Sequence, residues 1–322
     1  MQLSEYTQIL SEIQSAKYVV IDKALLDIYS DISEICSSKL VYEVSNPEQS
    51  KEFGEFENIL NFFITNGIRR DDYLLVIGGG ATSDLGGFVA ATILRGISWN
   101  VIPTTLLSMI DASIGGKVGI NSKHGKNLVG AFHLPKRNLS SIEFLKSLPI
   151  IELQSGKGEL LKYCYIDKKI KEELLTNGFS EELLLMCVAC KQNIVDRDLN
   201  EGGLRKVLNF GHTFGHVFER KLKIPHGVAI QMGVEFIIKL FNNEKLGEFN
   251  LLLKKLELNK SIITKISFDE FWESLEMDKK SLSNNQIDLI LPSNEGCEIK
   301  SFDKITLKSL IKKSQMYDNY FE

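Results

Sequence analysis

Proline is scarce in this 322-residue chain: 6 residues, with no Pro-rich run, which excludes a stalk or a stiff linker. Cysteine is scarce too. Cys36, Cys164, Cys187, Cys190 and Cys297 are odd in number and lack framework spacing, so they read as reduced thiols rather than a disulfide scaffold. Cys187 and Cys190 have the C-x-x-C spacing of redox and zinc motifs. They sit, however, in an apolar helical run, LLLMCVACKQN, without a partner pair, and read as core. No apolar run reaches the roughly 18 residues of a membrane span. The N-terminal MQLSEYTQIL carries an acid and no basic segment, which argues against a signal peptide. There is no basic surplus, since 38 Lys and Arg stand against 42 Asp and Glu, for a formal net charge of −4. That balance argues against a nucleic-acid partner, although a local basic pocket for an anionic metabolite stays open. Low-complexity runs and repeats of solenoid period are also missing.

What remains is ordinary globular material, 43% hydrophobic and 25% charged. At roughly 150 residues per domain the length suggests two domains. The first half alternates β-rich runs with helical patterns. KYVVIDK, KLVYEVS, DYLLVIGGG and WNVIPTT read as strands, ALLDIYSDISEI as a helix, and EFENILNFFITNG as an amphipathic helix closed by Gly67. This order predicts a mostly parallel sheet with helices on both faces. Beyond Pro149 helical periodicity dominates. EELLLMCVACKQNIVDRD, RKVLNFGHTFGHVFERK and GVAIQMGVEFIIKLFNN read as helices, and IDLILP with EIKSF as a small hairpin. We therefore expect an α/β, Rossmann-like domain over 1–148, a helical domain over 149–322, and a cleft between them for a small molecule.

Two glycine-rich segments suggest anion binding. GGGATSDLGG follows a strand and opens a helix, where backbone N–H groups can approach a pyrophosphate. It departs from G-x-G-x-x-G, because Ser83 stands in place of the last glycine. Asp84 near the helix start could be a cap or a ribose ligand. DASIGGKVGINSKHGKN carries Lys117, Lys123 and Lys126 among small residues, which suits phosphate or carboxylate; a solvated loop is the plainer reading.

The most informative stretch is RKVLNFGHTFGH. Read as one helix, it puts Arg205, Asn209, His212 and His216 in a narrow polar stripe. Val207, Phe210, Phe214, Val217 and Phe218 fall opposite. Gly211 and Gly215 each cost about 1 kcal/mol against alanine inside a helix, which points to close approach of a ligand or another backbone. His212 and His216 are one turn apart and could share a metal, but HTFGH lacks the glutamate of H-E-x-x-H, so a protease of that kind is excluded. His226 follows in IPHGVAI, and GKGELLKY places Glu159 and Lys162 at i and i+3. One carboxylate and two histidines make a plausible catalytic zinc set; spacing alone leaves open which two histidines bind.

GGGATSDLGGFVAATILRG, IPTTLLSMIDASIGGKVGIN, GKN, GELLKY, LRKVLNFGHTFGH, PHGVAIQMG and MDKK occur in the order found in 3-dehydroquinate synthases, and the chain resembles that family from about residue 40 to 293. The resemblance implies conversion of 3-deoxy-D-arabino-heptulosonate 7-phosphate to 3-dehydroquinate and phosphate, in the shikimate pathway. It implies NAD, a divalent metal (Zn2+ or Co2+), and a cytoplasmic homodimer. The implied chemistry has no net redox change: a ring hydroxyl is oxidised, phosphate is eliminated, the hydride returns, and an aldol closure follows. By motif, the metal ligands are Glu159, His212 and His226. Cofactor contacts map to Glu48, Gln49, Lys51, Gly79, Gly80, Asp84, Thr104 and Thr105, to Lys117 and Lys126, and to Phe144, Leu145, Lys146 and Ser147. Substrate contacts and catalytic groups map to Arg95, Asp111, Lys117, Lys126, Asn127, Lys162, Lys191, Arg205, Asn209, His216 and Lys279 of MDKK. The chain departs from the family in having Pro47 where glycine is common and Gly158 where alanine is common.

Three rivals share parts of this reading. A sister sugar phosphate cyclase would differ around Arg205, Asn209 and His216. A metal-dependent polyol dehydrogenase would have no need of so many lysines. A non-catalytic NAD-binding regulator would not need Glu159, His212 and His226 intact.

Overall fold

The computed structural model describes residues 2–322 apart from 200–201, 260–263, 279–284 and 295. The chain forms two compact units, Met1–Pro149 and Ile150–Glu322. Among the described residues, no helix is long and apolar enough to cross a membrane.

The first unit is built on a six-stranded, all-parallel sheet. Its strands are β1 (Gln2–Leu3), β2 (Tyr18–Asp22), β3 (Leu40–Val44), β4 (Tyr73–Gly78), β5 (Ser98–Pro103) and, after the hairpin β6 (Lys117–Ser122) and β7 (Gly125–Phe132), β8 (Arg137–Ser140). The spatial order is β1-β8-β5-β4-β2-β3, with parallel pairing throughout. Val19, Val20, Ile21, Leu74, Leu75, Val76 and Ile77 are all fully buried, so consecutive residues on both faces of β2 and β4 are covered. Such continuous apolar strands, rather than alternating ones, are what a parallel sheet sandwiched by helices requires. One face packs on helices α1 (Phe53–Thr65) and α2 (Gly80–Thr92) through Ile59, Phe63, Leu85 and Val89.

Several local expectations need correction in this unit. The helical run 24–35 is broken at Tyr29 into two short helices, because Tyr29 itself is extended (φ −112°, ψ 96°). The NPEQSK loop contains a helical turn, Pro47–Ser50, with Pro47 in the first turn, where its fixed φ and missing N–H are tolerated. The lysine-bearing glycine segment is not a loop. A π-turn at Ser108–Ala112 leads into the antiparallel β6–β7 pair, which lies on α2.

The second unit is mostly helical, with one antiparallel hairpin, Gln286–Pro292 and Cys297–Asp303, as the sequence predicts. The helices that matter for chemistry are α3 (Ile150–Ile166), α4 (Glu181–Arg197), α5 (His212–Leu222) and α6 (His226–Phe241). The expected continuous helix across 205–216 does not form. Leu204–Asn209 is a 3-10 segment, Gly211 takes the left-handed conformation (φ 82°), and α5 begins at His212. Gly211 is required there twice over: its φ is one that favours glycine, and a Cβ would lie 2.6 Å from a Val234 methyl and 2.9 Å from the Ile230 carbonyl oxygen. The apolar residues still find the core, with Phe210, Phe214 and Val217 fully buried and Phe218 nearly so. Tyr320 and Phe321 close an aromatic cluster around Phe218, Phe236 and Phe271, which fixes α5 against α6.

Candidate active site

In the second unit the site grows from a very close helix crossing. A Cβ on Gly158 would lie 2.2 Å from the Gly227 carbonyl oxygen, so α3 and α6 touch backbone to backbone. Ser155 Oγ accepts the Gly227 N–H at 3.0 Å and anchors the start of α6. Glu159 and His226, each next to a contact glycine, are thereby set side by side. The turn at Gly211 then brings His212 to the same place. His212 Nε2 lies 3.6 Å from Glu159 Oε1, and His226 Nε2 lies 3.9 Å from Glu159 Oε2. The three imidazoles of His212, His216 and His226 are within 6 Å of one another, centroid to centroid.

Glu159 is fully buried, and its Oε2 has no hydrogen-bond partner although it is shielded from water. A buried carboxylate oxygen left in this state is costly unless something charged meets it. Two nitrogens and one carboxylate oxygen within 4.8 Å of one another form a donor set that fits a divalent cation such as zinc. The other ring nitrogens are already engaged. His212 Nδ1 faces the Phe210 carbonyl oxygen at 3.1 Å, and His226 Nδ1 faces Glu219 Oε2 at 2.9 Å. A second triad, His216, Glu219 and His226, also brings three ligand atoms within 4.8 Å of one another. Glu219 escaped the sequence reading, yet it lies one turn beyond His216, on the stripe that already held the two histidines.

The same unit buries several cations. Lys162 contacts Glu159 Oε1 closely from the next turn of α3 and is 1% exposed. Lys191 on α4 and Arg205 on the 3-10 segment are also buried. Lysine and arginine are seldom buried unless an anion is paired with them. Arg205 is held at both ends: its backbone N–H donates to Asp198 Oδ2 at 3.0 Å, and its Nη1 to the Leu199 carbonyl oxygen at 2.7 Å. Asp198 accepts the N–H groups of Arg205, Gly203 and Gly202, and these bonds hold its carboxyl below the usual range. Asn209 ends the same segment, half-buried. Lys279 lies outside the described residues.

Cys187 and Cys190 take no part. Burial pushes the Cys187 thiol well up and Cys190 to about 12, so neither is a thiolate at neutral pH.

The first unit gathers a different set. Lys51, 3% exposed, donates to Asp84 Oδ2 at 2.7 Å and to Asn127 Oδ1 at 2.6 Å. Asp84 stands five residues into the helix that Gly79 caps, so it is not a cap as the sequence allowed; it is the partner of Lys51. Gly79 and Gly80 lie against Thr105 and Ala112, where a Cβ would come within 3.0 and 3.1 Å. Thr104 donates its N–H to the Gly78 carbonyl at 3.0 Å, and Thr105 is tied to Ser108. Glu48 and Lys126 form an exposed pair at 3.5 Å, and Gln49 shares the helical turn of Glu48. Asp111 lies in the π-turn, and Lys117 opens β6, exposed. Arg95 is exposed and follows Leu94, both at positive φ (69° and 51°). Of the 144–147 run, Phe144 is core, edge-on to Tyr6 and Tyr29, Leu145 is half-buried, Lys146 pairs with Glu143, and Ser147 bonds the Tyr29 hydroxyl at 2.6 Å.

A parallel-sheet unit followed by a mostly helical unit is the fold of solved sugar phosphate cyclases. The structure of 2-deoxy-scyllo-inosose synthase, complexed with carbaglucose-6-phosphate, NAD+ and Co2+, superposes with a TM-score of 0.80 at 23% identity, covering 97% of this chain and 96% of that one. The 2-epi-5-epi-valiolone synthase of Streptomyces hygroscopicus, with NAD+ and Zn2+ bound, gives 0.80 at 21%, with the same coverage. Sequence is more specific. Residues 41–155 match the 3-dehydroquinate synthase N-terminal family and residues 156–281 its C-terminal counterpart. The 3-dehydroquinate synthase of Staphylococcus epidermidis is 35% identical over 94% of this chain and 91% of its own length. The chain belongs to the 3-dehydroquinate synthase family, enzymes of the carbon–oxygen lyase class.

Proposed function

We propose that this protein converts 3-deoxy-D-arabino-heptulosonate 7-phosphate to 3-dehydroquinate and phosphate, with NAD as a catalytic cofactor. The observation that carries the reading is the buried Glu159, His212 and His226 cluster, with the buried Lys162 against Glu159, in a chain of this family. Glu159, His212 and His226 would hold a divalent metal, Zn2+ or Co2+. The first unit would hold NAD, through Lys51, Asp84, the Gly79–Gly80 turn and their neighbours. When bound, NAD supplies reversible hydride transfer and the metal a Lewis acid.

The rest falls to the chain's own side chains. Lys162, Lys191 and Arg205 present cationic donors to a substrate with a phosphate and a carboxylate; the planar guanidinium suits the carboxylate. Asn209 adds a neutral hydrogen bond to a sugar hydroxyl. His216 lies beside the proposed metal ligands without belonging to their set, and its imidazole is placed to pass a proton to or from the substrate. Lys117, Lys126, Asn127, Arg95 and Asp111 complete the substrate set by family likeness. The same likeness supports a homodimer in the cytoplasm, and the charge balance supports a small-molecule partner rather than nucleic acid or membrane.

The test is turnover of the heptulosonate phosphate by the purified protein. We expect 3-dehydroquinate to form with NAD and Zn2+ or Co2+, to stop on chelation, and to resume on adding the metal back. Full activity in a preparation shown to be metal-free would end the metal assignment.

A further inference from the structure

A histidine binds a metal through one ring nitrogen only if the proton is on the other, so whatever faces the second nitrogen decides whether the first is a ligand. His212 faces a backbone carbonyl, which can only accept. His226 faces a carboxylate, Glu219 Oε2, at 2.9 Å from Nδ1, while its Nε2 points at Glu159. Glu219 is on α5, one helical turn after His216 and two after His212, so the helix that supplies one proposed ligand also supplies the group that orients another. The side chain is 16% exposed, dry enough for the interaction to be weakly screened.

We propose that Glu219 is a positioning residue. It accepts the Nδ1 proton of His226, fixes that tautomer and ring angle, and raises the basicity of the nitrogen offered to the metal. This rests on the metal reading given above. The competing arrangement makes Glu219 itself a ligand, with His216 and His226. It is the weaker one, because it leaves the buried Glu159 Oε2 without a partner.

The two arrangements predict different behaviour with Co2+ as the probe, on the full-length protein, by chelator competition and by the visible spectrum of the bound ion. For an orienting group, Glu219→Ala weakens Co2+ binding by about 10–100-fold. Glu219→Gln recovers much of that loss, since the amide oxygen accepts the same N–H, and its spectrum keeps the wild-type shape because the ligands are unchanged. Glu219→Gln is nearly isosteric, so it remains informative even if Glu219→Ala folds poorly. Wild-type affinity in Glu219→Ala would overturn the proposal. So would a Glu219→Gln as weak as Glu219→Ala, with a spectral change shared by His216→Ala, because Glu219 would then be a ligand. Glu159→Gln separates the two levels of the claim. If it also binds Co2+ normally, the metal reading falls and this inference with it; if it loses Co2+ while Glu219→Ala does not, only the role of Glu219 falls.

Discussion

Individual residues in this protein are chosen by what faces them, and the two neighbouring histidines of α5 illustrate it. His212 is turned to Glu159 and has its Nδ1 on a carbonyl, whereas the His216 ring stands edge-on to that of His212 with centroids 5.3 Å apart. His212→Ala should therefore lose bound metal, with a loss of affinity at least as large as the roughly 10–100-fold seen when a group that orients a ligand is removed. His216→Ala should keep its metal and lose rate by about 10²–10⁴-fold, as for a missing proton carrier. Metal content and turnover measured together separate them, and equal metal loss in both would show the ligands are wrongly assigned. Asp198 makes a second case. Its three backbone bonds lower its folded pKa, so its contribution to stability is complete above the unfolded value, near 4, and disappears as pH falls through the folded one. The melting-temperature gap between wild type and Asp198→Ala should be constant at neutral pH and close below about pH 4; a gap independent of pH would contradict this. The residue types of the cluster were legible in the sequence, because Glu159, two histidines and buried-type cations stand out in GELLKY, NFGHTFGH and PHGV. Glu219 was less so, since an acid one turn after a histidine looks like an ordinary surface group until His226 is seen to face it.

At the scale of elements, the sheet was readable because parallel strands are continuous apolar runs, and the long helices because their periodicity is strong. The failures have a common physical origin in tertiary contact. The polar stripe of 205–216 pointed to the right residues through the wrong geometry: local pattern favours one helix, but the close approach of α6 makes Gly211 turn the chain. The β6–β7 hairpin was hidden because its glycines read as loop. Gly158 is the clearest element-scale test. A Cβ there would lie 2.2 Å from the Gly227 carbonyl oxygen. Gly158→Ala should force α3 and α6 apart, cost about 1–3 kcal/mol as overpacking does, and loosen Glu159 from His226. Thermal melting and metal content check it, and a variant with wild-type stability and metal would show that the crossing is more yielding than its geometry indicates.

For the whole molecule, the account is one of returned hydride. A dehydrogenase with the same fold releases its hydride with the cofactor, whereas a cyclase of this family gives it back to the same substrate. On the proposed reading the lysines and Arg205 serve the second case, where phosphate leaves and a carboxylate is held. The decisive measurement is phosphate release and nicotinamide absorbance followed together, with the heptulosonate phosphate at large excess over NAD. The account predicts many phosphates released per NAD, 3-dehydroquinate as product, and no lasting NADH signal. Stoichiometric NADH build-up, or faster turnover of glucose 6-phosphate than of the seven-carbon acid, would contradict it.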